Sequence, residues 1–103
     1  MLVVTTNDIP GKEFEVLGLV RDNVVRAKNI GRDLMAGFKN IAGGEIESYT
    51  QLMSESRDIA LLRMVDDAQK LGADAVVAAR LSSSSILDGT SEIIAYGTAV
   101  KFK

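Results

Sequence analysis

Cysteine and histidine are both absent from this chain of 103 residues, tryptophan is absent too, and proline occurs once. Without cysteine no disulfide can support the fold, which matches a reducing cytoplasm as the expected compartment. Without histidine there is no Ser-His or Cys-His pair, so the common nucleophilic hydrolases are excluded within one chain. Zinc and copper sites usually draw on the same two residue types, so a dedicated site for either is not expected here. Aromatic residues are also scarce, limited to Phe14, Phe38, Tyr49, Tyr96 and Phe102. The core must therefore be built from Val, Ile, Leu, Ala and Met.

Charge of one sign is missing as well. Twelve basic and fourteen acidic residues are mixed along the chain, giving a net charge of −2. No basic run tracks a phosphate backbone, so nucleic acid is not an expected partner. The opening "MLVVTTNDIPGKE" lacks the basic stretch and apolar core of a signal peptide. No apolar run approaches the roughly 18 residues of a membrane span. One soluble domain over residues 1–103 is expected, small enough that only about two-thirds of its surface is buried on folding.

What is present divides cleanly by period. "LVVTT" (Leu2 to Thr6) is β-rich and ends at "NDIPGK", where Pro10-Gly11 suits a type II turn. Glu13 to Ala27 reads as a long strand, with a bend near Gly18 or at Asp22-Asn23. From Asn29 the spacing becomes helical: Ile30, Leu34, Met35, Phe38 and Ile41 mark a short helix that ends at Gly43-Gly44. A longer helix follows, from about Glu45 to Leu71, and Gly72 is its expected stop.

Ile46, Tyr49, Met53, Ala60, Met64 and Leu71 form one stripe of that helix, and Arg57 falls on it. Leu61, Val65 and Ala68 form a second stripe, with Leu62 further round. One sheet face covers only one stripe, so the second requires another partner, most simply another copy of the chain. A strand from about Ala75, an Asp88-Gly89 turn and a last strand "EIIAYGTAVKF" complete the chain. "SSSS" (Ser82 to Ser85) reads as the exposed end of a strand. The last strand has one large face (Ile94, Tyr96, Thr98, Val100, Phe102) and one small face (Ala95, Gly97, Ala99). The small face accepts a close neighbour, either the long helix or a second subunit.

Chemistry-bearing constellations are few. "AGGE" at Gly43-Gly44 precedes a helix but lacks phosphate-loop spacing, and the acidic Glu45 and Glu47 disfavour an anion there. A helix–helix turn is the stronger reading of the two glycines. Asp33, Glu45, Glu47, Asp66 and Asp67 are candidates for a hard cation by residue type alone. The competing reading sets Glu45 and Glu47 against the helix dipole and puts Asp66-Asp67 on the solvated side. Arg57 has two readings: an anion or subunit contact, or a stem packed over the core with its head in water. No catalytic set emerges. Glu45, Tyr49 and Arg57 stand as the ligand or interface candidates.

With these segments laid out, the chain resembles the YbjQ-like family of small bacterial proteins. The resemblance rests on Pro10-Gly11, "LGLV" (Leu17 to Val20), "NIGRD" (Asn29 to Asp33), "KNIAGGE", "YTQL", "RDIALLR" (Arg57 to Arg63), "LGADAVV" and "AYGTAV". It implies an α+β fold in two layers, similar to the dodecin-like arrangement. A mainly antiparallel sheet of three to four strands would be packed by a short and a long helix, inserted between an N-terminal strand pair and a C-terminal hairpin. The resemblance also implies a homo-oligomeric ring of five and carries a heavy-metal-binding label without an assigned role, catalytic residue or cofactor. The expected function is thus a non-enzymatic, ring-forming cytoplasmic protein that binds a small ligand where subunits meet. The alternatives are metal binding through oxygen ligands and, ranked last, an enzyme using carboxylates with Arg57.

Overall fold

A computed structural model describes residues 1–27, 47–84 and 90–103. The described chain is α+β, with β1 (Leu2–Val3), β2 (Phe14–Ala27), helix α1 (Glu47–Lys70), β3 (Ala75–Ser84) and β4 (Thr90–Phe102) in order. The four strands form one sheet in the order β1-β3-β4-β2. β4 lies at its centre, antiparallel to both β2 and β3. β1 adds to β3 in parallel, pairing Leu2 with Ala75 and Val3 with Val76. The expected short helix and the turns at Gly43-Gly44 and Asp88-Gly89 lie outside the described residues.

Within the described residues, breaks fall at Pro10-Gly11, Gly18 and Gly72 as the glycine and proline punctuation predicts. The amide of Lys12 donates to the Ile9 carbonyl at 3.1 Å across Pro10 and Gly11, and Gly11 has φ 77°. That is the type II turn, with glycine at the position that demands positive φ. At the other end of α1, Gly72 takes φ 81°, its amide bonds the Gln69 carbonyl at 2.9 Å, and Ala73 bonds Ala68 at 3.1 Å. This pair of bonds is a Schellman stop, which satisfies carbonyls the helix itself leaves open. The bend near Gly18 is also present: the register with β4 shifts between Val16 and Gly18.

The core forms where the small face of β4 meets the helix. Ala60, Met64 and Ala68 of α1 pack with Ile93, Ala95 and Ala99 of β4 and with Val20 and Val24 of β2. Of the two neighbours the small face of β4 accepts, the helix is the one seated on it. Alanine on both sides lets the two backbones approach closely, and Met64 fills the remaining volume. A second, smaller cluster occupies the opposite sheet face. There Val4 and Ile9 of the N-terminal segment cover Ala75, Val77 and Val100 between Phe14 and Phe102.

The helix differs from its expected amphipathic pattern in one respect. Its buried positions are Leu52, Ser56, Ala60, Met64 and Ala68, so the seam advances in steps of four. Each such step turns about 40° around the axis, so the seam winds across the helix instead of running straight along it. Ser56, not Arg57, therefore takes the buried place, and its hydroxyl donates to the Leu52 carbonyl at 2.7 Å. Leu71, expected on the same stripe, is exposed.

Candidate functional site

Three polar contacts hold α1 along β2. Arg26 pairs with Glu55 at 3.1 Å. Arg63 donates from Nη1 to the Asn23 carbonyl at 2.9 Å. Further along the helix, Asp67 and Asp22 share a hydrogen bond between carboxyl groups. In the pattern of β2, Asp22 takes an inward place between the buried Val20 and Val24, and that carboxylate among apolar neighbours is a signal the sequence offered. Asp67 is half-buried at this contact, which corrects the expectation that Asp66-Asp67 sit together on the solvated side. Only Asp66 does, pairing with Lys70 at 3.1 Å.

The bond between the two carboxyls splits their acidities. It holds Asp22 below the usual carboxylate range, helped by the Asn23 amide, which donates to Asp22 Oδ1 at 2.9 Å, and by Arg63 and Lys70. The same bond pushes Asp67 up, with desolvation and the Asp22 charge acting in the same direction. Like charges at one contact disfavour each other's ionisation, so the two acidities move apart.

Because α1 is tied to β2, the β3 side of the helix layer is left open among the described residues. Leu81, on the helix-facing side of β3, is 44% exposed and Leu62 on the helix is 69% exposed. A cavity of about 350 Å³ lies there, lined by Val3, Val4, Thr5, Leu61, Ala79, Arg80 and Leu81. A second hollow, of about 400 Å³, continues along the helix past Asp58, Leu61, Leu62 and Val65. The groove is mainly apolar, with Thr5, Arg80 and Asp58 its polar members. Its chemistry is that of binding.

The sequence candidates do not converge on this groove. Arg57 is exposed, and its Nη2 donates to Ser54 Oγ at 3.2 Å on its own helix. Tyr49 is half-buried in the first turns of α1, eight residues and about 12 Å of helix away. Glu45 lies outside the described residues. Arg80 is the cation lining the groove: its Nη1 donates to the carbonyls of Thr5 and Ala79 at 2.9 and 2.8 Å.

Comparison with known proteins gives a consistent picture. The model of a YbjQ family, described as "Putative heavy-metal-binding", matches residues 1–103. A UPF0145 protein of Vibrio parahaemolyticus is 61% identical over 98% of this chain and 97% of its own length. A UPF0145 protein of Fervidobacterium nodosum is 56% identical over the whole chain and 96% of its own length. Among solved structures, a protein of unknown function of the DUF74 family from Pediococcus pentosaceus superposes with a TM-score of 0.74. It covers 100% of this chain and 98% of its own at 12% identity, a likeness of fold alone.

The metal description finds little to hold it in the residues themselves. Heavy metals prefer thiolate and imidazole, and the sequence has neither. Among the described residues, no three carboxylates come close enough to bind an ion. Among the same residues, no helix is long and apolar enough to cross a membrane. The family match over the full length, the relatives above half identity and the shared fold agree, and the chain belongs to the YbjQ-like family.

Proposed function

We propose that this protein works as a homo-oligomeric ring of five subunits in the cytoplasm, binding a small ligand where subunits meet and performing no catalysis of its own. The observation that carries this reading is the half of the helix layer that no described residue covers. Leu61, Leu62, Val65 and Leu81 present a continuous apolar surface beside β3, and an isolated domain gains nothing by leaving it in water. The hydrogen-bonding edges support the same reading. The N-terminal segment pairs with β3 only as far as Ala79, whose amide donates to the Val4 carbonyl at 3.0 Å. Beyond it, Arg80 to Ser84 have no strand partner on that side among the described residues, and neither has the outer edge of β2. Free edges on opposite sides of one sheet favour head-to-tail contact, which closes into a ring when the rotation allows.

Shape adds to the argument. The Cα radius of gyration is 17.0 Å, against about 13 Å for a compact chain of this length. An elongated chain with an open apolar flank reaches ordinary burial by packing against copies of itself. Native mass spectrometry of protein purified from its own host tests the proposal. The expected species is five times the 11.0 kDa chain, with a retained small molecule as added mass. A stable monomer at micromolar concentration in sedimentation would sink the ring.

A further inference from the structure

Three segments build the cavity at the edge of β3. The N-terminal segment runs beside the strand: the Val4 amide donates to the Val76 carbonyl at 2.9 Å, and the Ala78 amide to the Thr6 carbonyl at 2.8 Å. Leu61 of α1 closes the helix side, and Ala79, Arg80 and Leu81 supply the strand side. β3 carries its extra residue at this place, between Val77 and Arg80, and Ala78 holds φ 54°. A bulge re-aims the side chains around it, and positive φ at a residue other than glycine is strain that the surrounding structure must sustain. The wall that results is mostly aliphatic. Among its lining residues there is no aromatic ring, no acid and one cation, Arg80.

That cation is fixed but not neutralised. Arg80 Nη1 donates to the Thr5 and Ala79 carbonyls, while its Nε and Nη2 have no partner among the described residues. The ion pairs among those residues are Arg26 with Glu55 and Lys70 with Asp66, and neither includes it. Two carbonyls hold the guanidinium at the cavity, yet they carry no charge to offset its own. Thr5 lines the same cavity, and its hydroxyl has no partner among the described residues. The acid of the groove, Asp58, lines the second hollow and not this one. The cavity therefore joins an aliphatic wall to one positive head with unused donors.

We propose that this cavity binds an aliphatic carboxylate of medium chain length, its head on Arg80 and its chain against Leu61 and Leu81. A carboxylate takes paired N–H donors from a single guanidinium, so one arginine satisfies it. A phosphate carries more charge than one cation offsets, and no second cation lines the cavity. The volume of about 350 Å³ falls at the small end of the range for ligand sites, about 300–1,000 Å³. Each methylene that such a wall buries strengthens binding about fourfold. The inference names the ligand of the binding reading above and rests on that part of it, not on the ring.

Isothermal titration of the full-length protein with octanoate, hexanoate and 1-octanol tests the site, each kept below the concentration at which it aggregates. Octanoate is expected to bind saturably, with hexanoate and octanol each at least about tenfold weaker. Arg80→Gln should weaken octanoate about tenfold and leave octanol as in the wild type, a change of selectivity that loss of fold would not produce. Arg80→Lys keeps the charge but loses the fork, and it should fall between the two. The proposal is overturned if octanoate gives no saturable heat up to ~10 mM, or if octanol binds as octanoate does. It is overturned too if octanoate binds only by splitting the assembly in sedimentation, because a second copy is then the occupant. The two readings fail separately. A pentamer that retains some other small molecule and ignores octanoate sinks this inference alone, whereas a monomer that binds octanoate through Arg80 sinks the ring and supports the site.

Discussion

Two glycines show how the same residue type is required for opposite reasons. Gly72 has open space where a Cβ would sit, but its φ of 81° is costly for any other L-residue. Gly97 has no such backbone constraint. A Cβ there would lie 2.6 Å from Val76 Cγ1, 3.2 Å from Ala79 Cα and 3.2 Å from the Val77 carbonyl oxygen. The crowding arises because β3 carries one extra residue opposite Gly97, between Val77 and Arg80, where Ala78 is forced to φ 54°. Gly72→Ala should cost about 1 kcal/mol from backbone conformation alone. Gly97→Ala should cost more, about 1–3 kcal/mol, since the backbone of the bulge cannot move aside as a side chain would. Thermal unfolding of the two variants checks the order. Only the first was legible in the sequence: "LGAD" after a periodic helix announces a stop, whereas the bulge facing Gly97 is a register relation between distant segments. Part of that relation showed as the small face Ala95, Gly97, Ala99, but not its occupant.

At the scale of elements, the seating of α1 depends on polar ties that hydrophobic spacing could not reveal. Glu55, Arg63 and Asp67 contact Arg26, Asn23 and Asp22 in reverse chain order, so the helix runs antiparallel to β2 and lies over that half of the sheet. This draws the seam onto Leu52, Ser56, Ala60, Met64 and Ala68 and leaves Arg57 in solvent. The sequence reading put Arg57 on a straight stripe, and winding of the seam is why it missed. The Asp22–Asp67 tie gives a pH signature. A folded-state pKa raised above the unfolded value means that Asp67 contributes stability when protonated, and this is lost as pH rises through its folded value. Asp22, held low, contributes in the opposite sense: its share is present above the unfolded value and fades as pH falls through the folded one. Asp67→Asn keeps a neutral donor toward Asp22 and removes the ionisation at position 67. Melting temperature followed from acid to neutral pH should show the wild type losing ground to Asp67→Asn as pH rises above the carboxylate range. Parallel profiles would mean that the two carboxyls do not shift each other's acidity.

For the whole molecule, the question is whether the open flank beside β3 is solvent or interface. The doubly apolar helix was visible in the sequence as a second stripe at Leu61, Val65 and Ala68 with Leu62 beyond it; Ala68 instead joins the core of the monomer, and no described residue covers Leu62. What the sequence could not show is that β3 contributes Leu81 to the same surface, because β1 stops short and the helix is tied elsewhere. Leu62 separates the two possibilities cleanly. It is the most exposed large apolar side chain of the helix, at 69%, and lies outside the core cluster, so Leu62→Glu leaves the packing of the monomer intact. Exposed surface substitutions usually stay within about 0.5 kcal/mol in a monomer. A buried, unpaired carboxylate at an interface costs several times that, on the order of 3–5 kcal/mol, which at one contact per subunit is enough to break a ring at micromolar concentration. Sedimentation velocity should therefore show wild type as the assembly and Leu62→Glu as smaller species, with the two far-ultraviolet spectra superimposed. If Leu62→Glu assembled as the wild type does, the copies would have to meet elsewhere, and the free edge of β2 would be the surface to test next.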